Sequence, residues 1–155
     1  MVIVFLARSM HNPGYMADRE SDMARLMQRA HALKMPADWL VRSKHNRCLP
    51  EGGKLWAKVR SSKALGEIEF TLPGRGKQAA RHVRQKLFAC RVELPDGQGG
   101  LLSVTCVIAQ EIAPPKGVKP IEWRLLTNRE ANTFEEAVTL IDWYRVRWEI
   151  DIYQT

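Results

Sequence analysis

The sequence lacks the marks of several protein classes. Its 155 residues contain no apolar run of transmembrane length. Its cysteines, Cys48, Cys90 and Cys106, are odd in number and scattered. There is no C-x-x-C pair and no His/Cys cluster, so neither a disulfide framework nor a zinc site is indicated. The start, MVIVFLARSM, has a short apolar run but no basic segment before it and no small-residue cleavage site. It does not read as a signal peptide. No repeat or low-complexity tract is present. What is left is a chain suited to a reducing cytoplasm, with room for one real core or a core plus a small subdomain.

Acidic residues are scarce in the middle of the chain. The net charge is +7. Between Arg42 and Arg91 there are 13 Lys or Arg against Glu51, Glu67 and Glu69, so this segment carries 13 − 3 = +10 and the remainder about −3. A basic central segment is the footprint of a polyanionic partner, most simply nucleic acid. The bland alternative is a solvated, solubilising surface.

Taken in order, 2–6 reads as a buried strand and Asn12-Pro13-Gly14 as a turn. The pattern of 17–33 is helical, with Met23, Leu26, Met27, Ala30 and Leu33 on one face and Pro36 beyond its end. Asp18 then lies at a strand-to-helix junction, as a helix cap or a functional group. Residues 39–43 read as a strand with Arg42 and Lys44 at its exit, and 54–63 as a short basic helix. The period then changes to 2. Residues 66–72, 83–94, 101–112 and 121–126 read as strands, with a turn-rich link at 95–100.

The last element is a helix over 133–153. Thr133 is its expected N-cap, and Glu135 and Glu136 sit in the first turn, where carboxylates suit the helix dipole. Ala137, Val138, Leu140, Ile141, Trp148 and Ile152 form an apolar face. Tyr144, Arg147 and Asp151 fall within about 60° of one another on the helical wheel. They form either a site or a self-satisfied structural network.

Five motifs occur in order: Asp18-Arg19-Glu20-Ser21-Asp22, Val41-Arg42-Ser43-Lys44-His45, Pro114-Pro115-Lys116-Gly117, Trp123-Arg124-Leu125-Leu126-Thr127, and Tyr144-x-x-Arg147-Trp148-x-Ile150-Asp151. Together they resemble the DDE transposases of the insertion-sequence-four family, from about residue 15 to the end of the chain. The resemblance implies a mixed α/β (α+β) fold. A partial ribonuclease-H-like catalytic core (1–46 and 128–155) would be interrupted by a basic, β-rich antiparallel insertion (47–127). It also implies cut-and-paste DNA transposition. In that chemistry carboxylates hold two divalent ions, Mg²⁺ or Mn²⁺, for in-line phosphoryl transfer. By the same resemblance Asp18 and Asp151 are the catalytic and metal-binding residues. Arg42, Lys44, Tyr144, Arg147 and Trp148 are implied to contact DNA, and Trp123 to stack on a flipped base. Without the resemblance, Trp123 reads as a core residue. The implied partners are transposon-end DNA and a second transposase subunit, with no membrane, in a bacterial cytoplasm at the nucleoid.

The departures from the family pattern matter as much. Nothing matches the family's first catalytic Asp, and residues 1–12 contain no Asp or Glu. The N-terminal DNA-binding domain has no counterpart either. Asp151 stands where the family has Glu, which withdraws the carboxylate by about 1.5 Å and can cost on the order of 100-fold in rate. The signature's Lys would come about seven residues after Asp151, and the sequence ends at Thr155. Ile68 stands where the transposon-five member has a Tyr. The expectation is therefore the middle of a transposase, with metal binding weak or absent and little cleavage by the isolated chain. The alternatives are a non-catalytic DNA-binding module that interferes with a full-length transposase, and an inactive remnant.

Overall fold

The structure is a computed structural model that describes residues 3–5, 39–95 and 99–153, with side chains described for 39–95 and 99–149. Six strands form one sheet: β1 (Ile3–Phe5), β2 (Trp39–Arg42), β3 (Gly66–Leu72), β4 (Arg81–Pro95), β5 (Leu101–Glu111) and β6 (Glu122–Thr127). Two helices join them, α1 (Leu55–Arg60) and α2 (Phe134–Tyr153). The spatial order is β1-β2-β6-β5-β4-β3. The helix expected at 17–33 and Asp18 lie outside the described residues.

Period-2 sequences produce this sheet directly. In β3 every second residue faces solvent, so Ile68 and Phe70 share one face and Glu67 and Glu69 the other. The links are short. β4 and β5 pair in a register that runs from Pro95 opposite Leu101 to Gln85 opposite Glu111. Every strand pairing is antiparallel.

That pattern corrects the expected fold class. The described residues form a mostly antiparallel sheet curled into a half-barrel with two helices, not a ribonuclease-H-like α/β core with an insertion. The physical reason is in the connections. A parallel core needs crossovers of a dozen or more residues, usually helical. The helix between β2 and β3, α1, has six residues. β2, expected in the core, pairs directly with β6, expected in the insertion.

The curl is measurable. Phe70 on β3 and Trp123 on β6 are separated by β4 and β5, which in a flat sheet would put them roughly 14 Å apart. Their rings stack instead, centroids 5.6 Å apart and 13° from parallel. The cross-strand row from Trp123 runs through Ala109 and Leu87 to Gly66, four residues from Phe70 along β3. α2 lies across the same face. Ala137, Leu140, Ile141 and Tyr144 are buried there with Leu40, Val107 and Leu125. On the opposite face α1 buries Leu55 and Val59 against Trp39, Val41, Val104, Ile108 and Leu126.

Polar groups fix the joints. Thr133 is the N-cap of α2: Glu136 N–H donates to its Oγ1 at 3.2 Å, and Thr133 donates to the Glu136 carboxylate at 3.1 Å. Buried Glu111 accepts from Arg81, at 2.6 Å on Oε2, and from Ile121 N–H at 2.8 Å, so its charge is compensated. Gln85 Nε2 donates to the Ile121 carbonyl at 3.1 Å. Together they pin the 112–121 loop to the sheet.

Gly66 opens β3 where α2 begins. A Cβ there would lie 2.5 Å from Cδ1 of Phe134. Gly66→Ala therefore forces the Phe134 ring aside and should destabilise the fold by about 1–2 kcal/mol in urea unfolding. Adding Phe134→Ala should make the pair strongly non-additive; simple additivity would show that the two residues are not in contact.

Candidate nucleic-acid interface

The positive charge is not spread evenly over the fold. Residues 42–63 hold seven Lys or Arg and one Glu, 7 − 1 = +6; residues 75–91 with Glu67 and Glu69 hold six against two, 6 − 2 = +4. The second group is partly consumed by structure. Arg81 is paired with Glu111. Arg84 bridges Glu67 at 2.9 Å and Glu69 at 3.3 Å. Arg91 donates to Ser103 Oγ, Thr105 Oγ1 and the Asn128 carbonyl. The electropositive surface therefore centres on the exit of β2, the 43–54 loop and α1.

Local chemistry holds that loop in place. Ser43 N–H donates to the Arg124 carbonyl at 2.7 Å and prolongs the β2–β6 ladder. Cys48 and Lys54 form an isolated antiparallel bridge, closed by positive-φ Gly52 and Gly53. Lys54 at the N-cap of α1 provides no side-chain cap. Asn46 does so from the loop, its Oδ1 accepting Trp56 N–H at 2.9 Å. Arg42, Lys44, Lys54, Lys58 and Lys63 are all exposed around this unit. Lys58 donates to Glu51 at 2.6 Å, which lowers the Glu51 pKa and raises that of Lys58. Because the folded Glu51 pKa is depressed, any stabilisation from it is present above the usual carboxylate range and is lost as pH falls through the folded value. The Lys58 contribution is lost only as pH rises through its raised pKa. Both groups are solvent-exposed, so salt screens the pair.

The residues singled out from the sequence separate into two groups. Arg42 and Lys44 stand exposed at the β2 exit, and Arg147 is exposed on α2. Trp123, Tyr144 and Trp148 are brought together. Trp123 meets Tyr144 at 5.5 Å and Trp148 at 5.2 Å between centroids, both edge-on. Trp123 is 4% and Tyr144 4% exposed. One face of Trp123 is covered by Phe70, so a flipped base would have to displace that ring. Tyr144 is turned into the sheet while Arg147, three residues on, faces solvent. Asp18 and the side chain of Asp151 lie outside the described residues. Among the described residues no group of three or more His, Cys, Asp or Glu could hold a metal ion, and no helix is long and apolar enough to cross a membrane.

Sequence reasoning passed over a second constellation on the α1 face. Glu122 and Arg124 alternate with Trp123 along β6 and so share the opposite face. Glu122 accepts from Arg60 of α1 at 3.0 Å and also from Arg124. Arg124 lies over the Trp56 ring, 4.0 Å from its centroid. The period-2 pattern places Arg124 away from the core; nothing in it signals the partner on α1.

Burial of Trp123 leads to a direct expectation. Trp123→Ala should cost about 3–5 kcal/mol of stability by chemical denaturation. A Trp whose role is to hold a flipped base would instead leave the melting curve nearly unchanged. No protein-family model matches the chain.

Proposed function

We propose that this chain binds DNA as part of a cut-and-paste transposase of the insertion-sequence-four type, and that the described sheet contributes backbone binding rather than cleavage. One observation carries the binding reading. Of the 13 basic residues between Arg42 and Arg91, ten are exposed, and Lys44, Lys54, Lys58 and Lys63 gather on or beside the 43–54 loop and α1. A compact cationic surface attracts phosphates through release of their counterions, without reading sequence. The order and spacing of the five motifs support the transposase part. Only two of that family's three metal-binding carboxylates have counterparts here, Asp18 and Asp151, which favours a binding role over independent catalysis.

Fluorescence anisotropy with a labelled duplex across a salt series tests this. Log affinity should fall linearly with log salt, by about 0.9 per phosphate neutralised. Joint replacement of Arg42, Lys44 and Lys54 by Gln should lower that slope by up to about 3 and weaken all duplex sequences alike. Asp18→Ala and Asp151→Ala should bind as the parent does. Absent or salt-insensitive binding would overturn the proposal. In a supercoiled-plasmid assay with Mg²⁺ or Mn²⁺ the chain should nick little; robust nicking lost on Asp18→Ala would move the chemistry onto this chain.

A further inference from the structure

We infer that Arg60 and Arg124, which share Glu122 while Arg124 stacks on Trp56, form a discrete phosphodiester-binding point on the α1 face. This rests on the DNA-binding reading above and names a contact that neither the motifs nor the charge count identifies.

The argument begins with stoichiometry. Glu122 accepts from two guanidiniums, Arg60 at 3.0 Å and Arg124. One arginine would neutralise it. The second leaves the cluster at +1, next to the β2 exit, where Ser43 N–H donates to the Arg124 carbonyl. Fold stability is a poor reason for the second arginine. The side chains of Arg60 and Arg124 are 36% and 33% exposed, and ion pairs so wet contribute little.

Geometry points the same way. A guanidinium has five N–H donors, and each arginine gives one amino group to Glu122. The Nε of each is buried with no hydrogen-bond partner, so one edge of each guanidinium is turned away from solvent. Trp56 stacks beneath Arg124 and is itself tethered, its Nε1 donating to Ser43 Oγ at 3.1 Å. Stacking and the shared carboxylate hold two planar forks at a third-exposed surface. That is the arrangement suited to bidentate recognition of a phosphate. Glu122 has a second consequence. It occupies the arginines when no ligand is present and so limits their affinity for free anions.

Four forms of the full chain test this by anisotropy on one duplex. Arg60→Gln/Arg124→Gln should lower the salt slope by about 1 and weaken binding roughly tenfold at physiological salt. Arg124→Lys keeps the charge but loses the fork and the stack. It should weaken binding severalfold with the slope unchanged, and it serves if the double variant does not fold. Glu122→Gln should tighten binding more than Glu135→Gln, which adds the same charge at the start of α2. A parent chain that does not bind DNA would overturn the DNA-binding reading and this inference with it. A parent that binds while the arginine variants match its slope and affinity would overturn the inference alone. So would equal effects of Glu122→Gln and Glu135→Gln. Inorganic phosphate should compete no better than chloride of equal ionic strength; stronger competition would mean that the point takes free phosphate rather than the backbone.

Discussion

The contact between Phe70 and Trp123 sets the shape of the molecule. Two aromatic rings from strands three places apart can stack only if the sheet between them bends. The small side chain of Ala109 stands directly opposite Trp123, in the row that ends at Gly66 on β3. Once bent, the sheet offers a concave wall of aromatic and aliphatic surface. α2 fills it with Tyr144 and Trp148 edge-on to Trp123, the geometry that ring quadrupoles prefer. The start of α2 is then held by Phe134 against bare Gly66 and by the Thr133 N-cap, whose Oγ1 accepts the Glu136 N–H.

The two faces of the sheet consequently do different things. The concave face is closed by aromatic packing and α2. The other carries α1 and the 43–54 loop, with exposed Lys54 and Lys58 and the Arg60–Glu122–Arg124 cluster. Strand alternation makes the division: along β6, Trp123, Leu125 and Thr127 go one way, and Glu122, Arg124 and Leu126 the other. Neighbouring residues of one motif thus serve separate ends, Trp123 the core and Arg124 the charged surface. A resemblance motif read as a unit hides that split.

The element boundaries were readable because their causes are local. The strands at 66–72, 101–112 and 121–126 agree with β3, β5 and β6 to within a residue, and the helix at 133–153 with α2. Thr133 is the cap its position suggested. The fold class was not readable. A resemblance to a ribonuclease-H-like core gave weight to connections that this chain does not make, while the strands themselves pair antiparallel throughout. Nor was the Arg60–Glu122 contact readable, since its partners stand 62 residues apart.

The sequence by itself determined the periodicities, the caps and turns, and the concentration of positive charge at 42–91. Each depends on neighbours a few residues away, where backbone geometry and side-chain type suffice. Only the tertiary structure decided which strands adjoin, how far the sheet curls, that Trp123 is enclosed by Phe70, and that two arginines share Glu122. These depend on residues far apart in the chain. Their proximity follows from filling one curved core at close packing, a condition that no local pattern encodes.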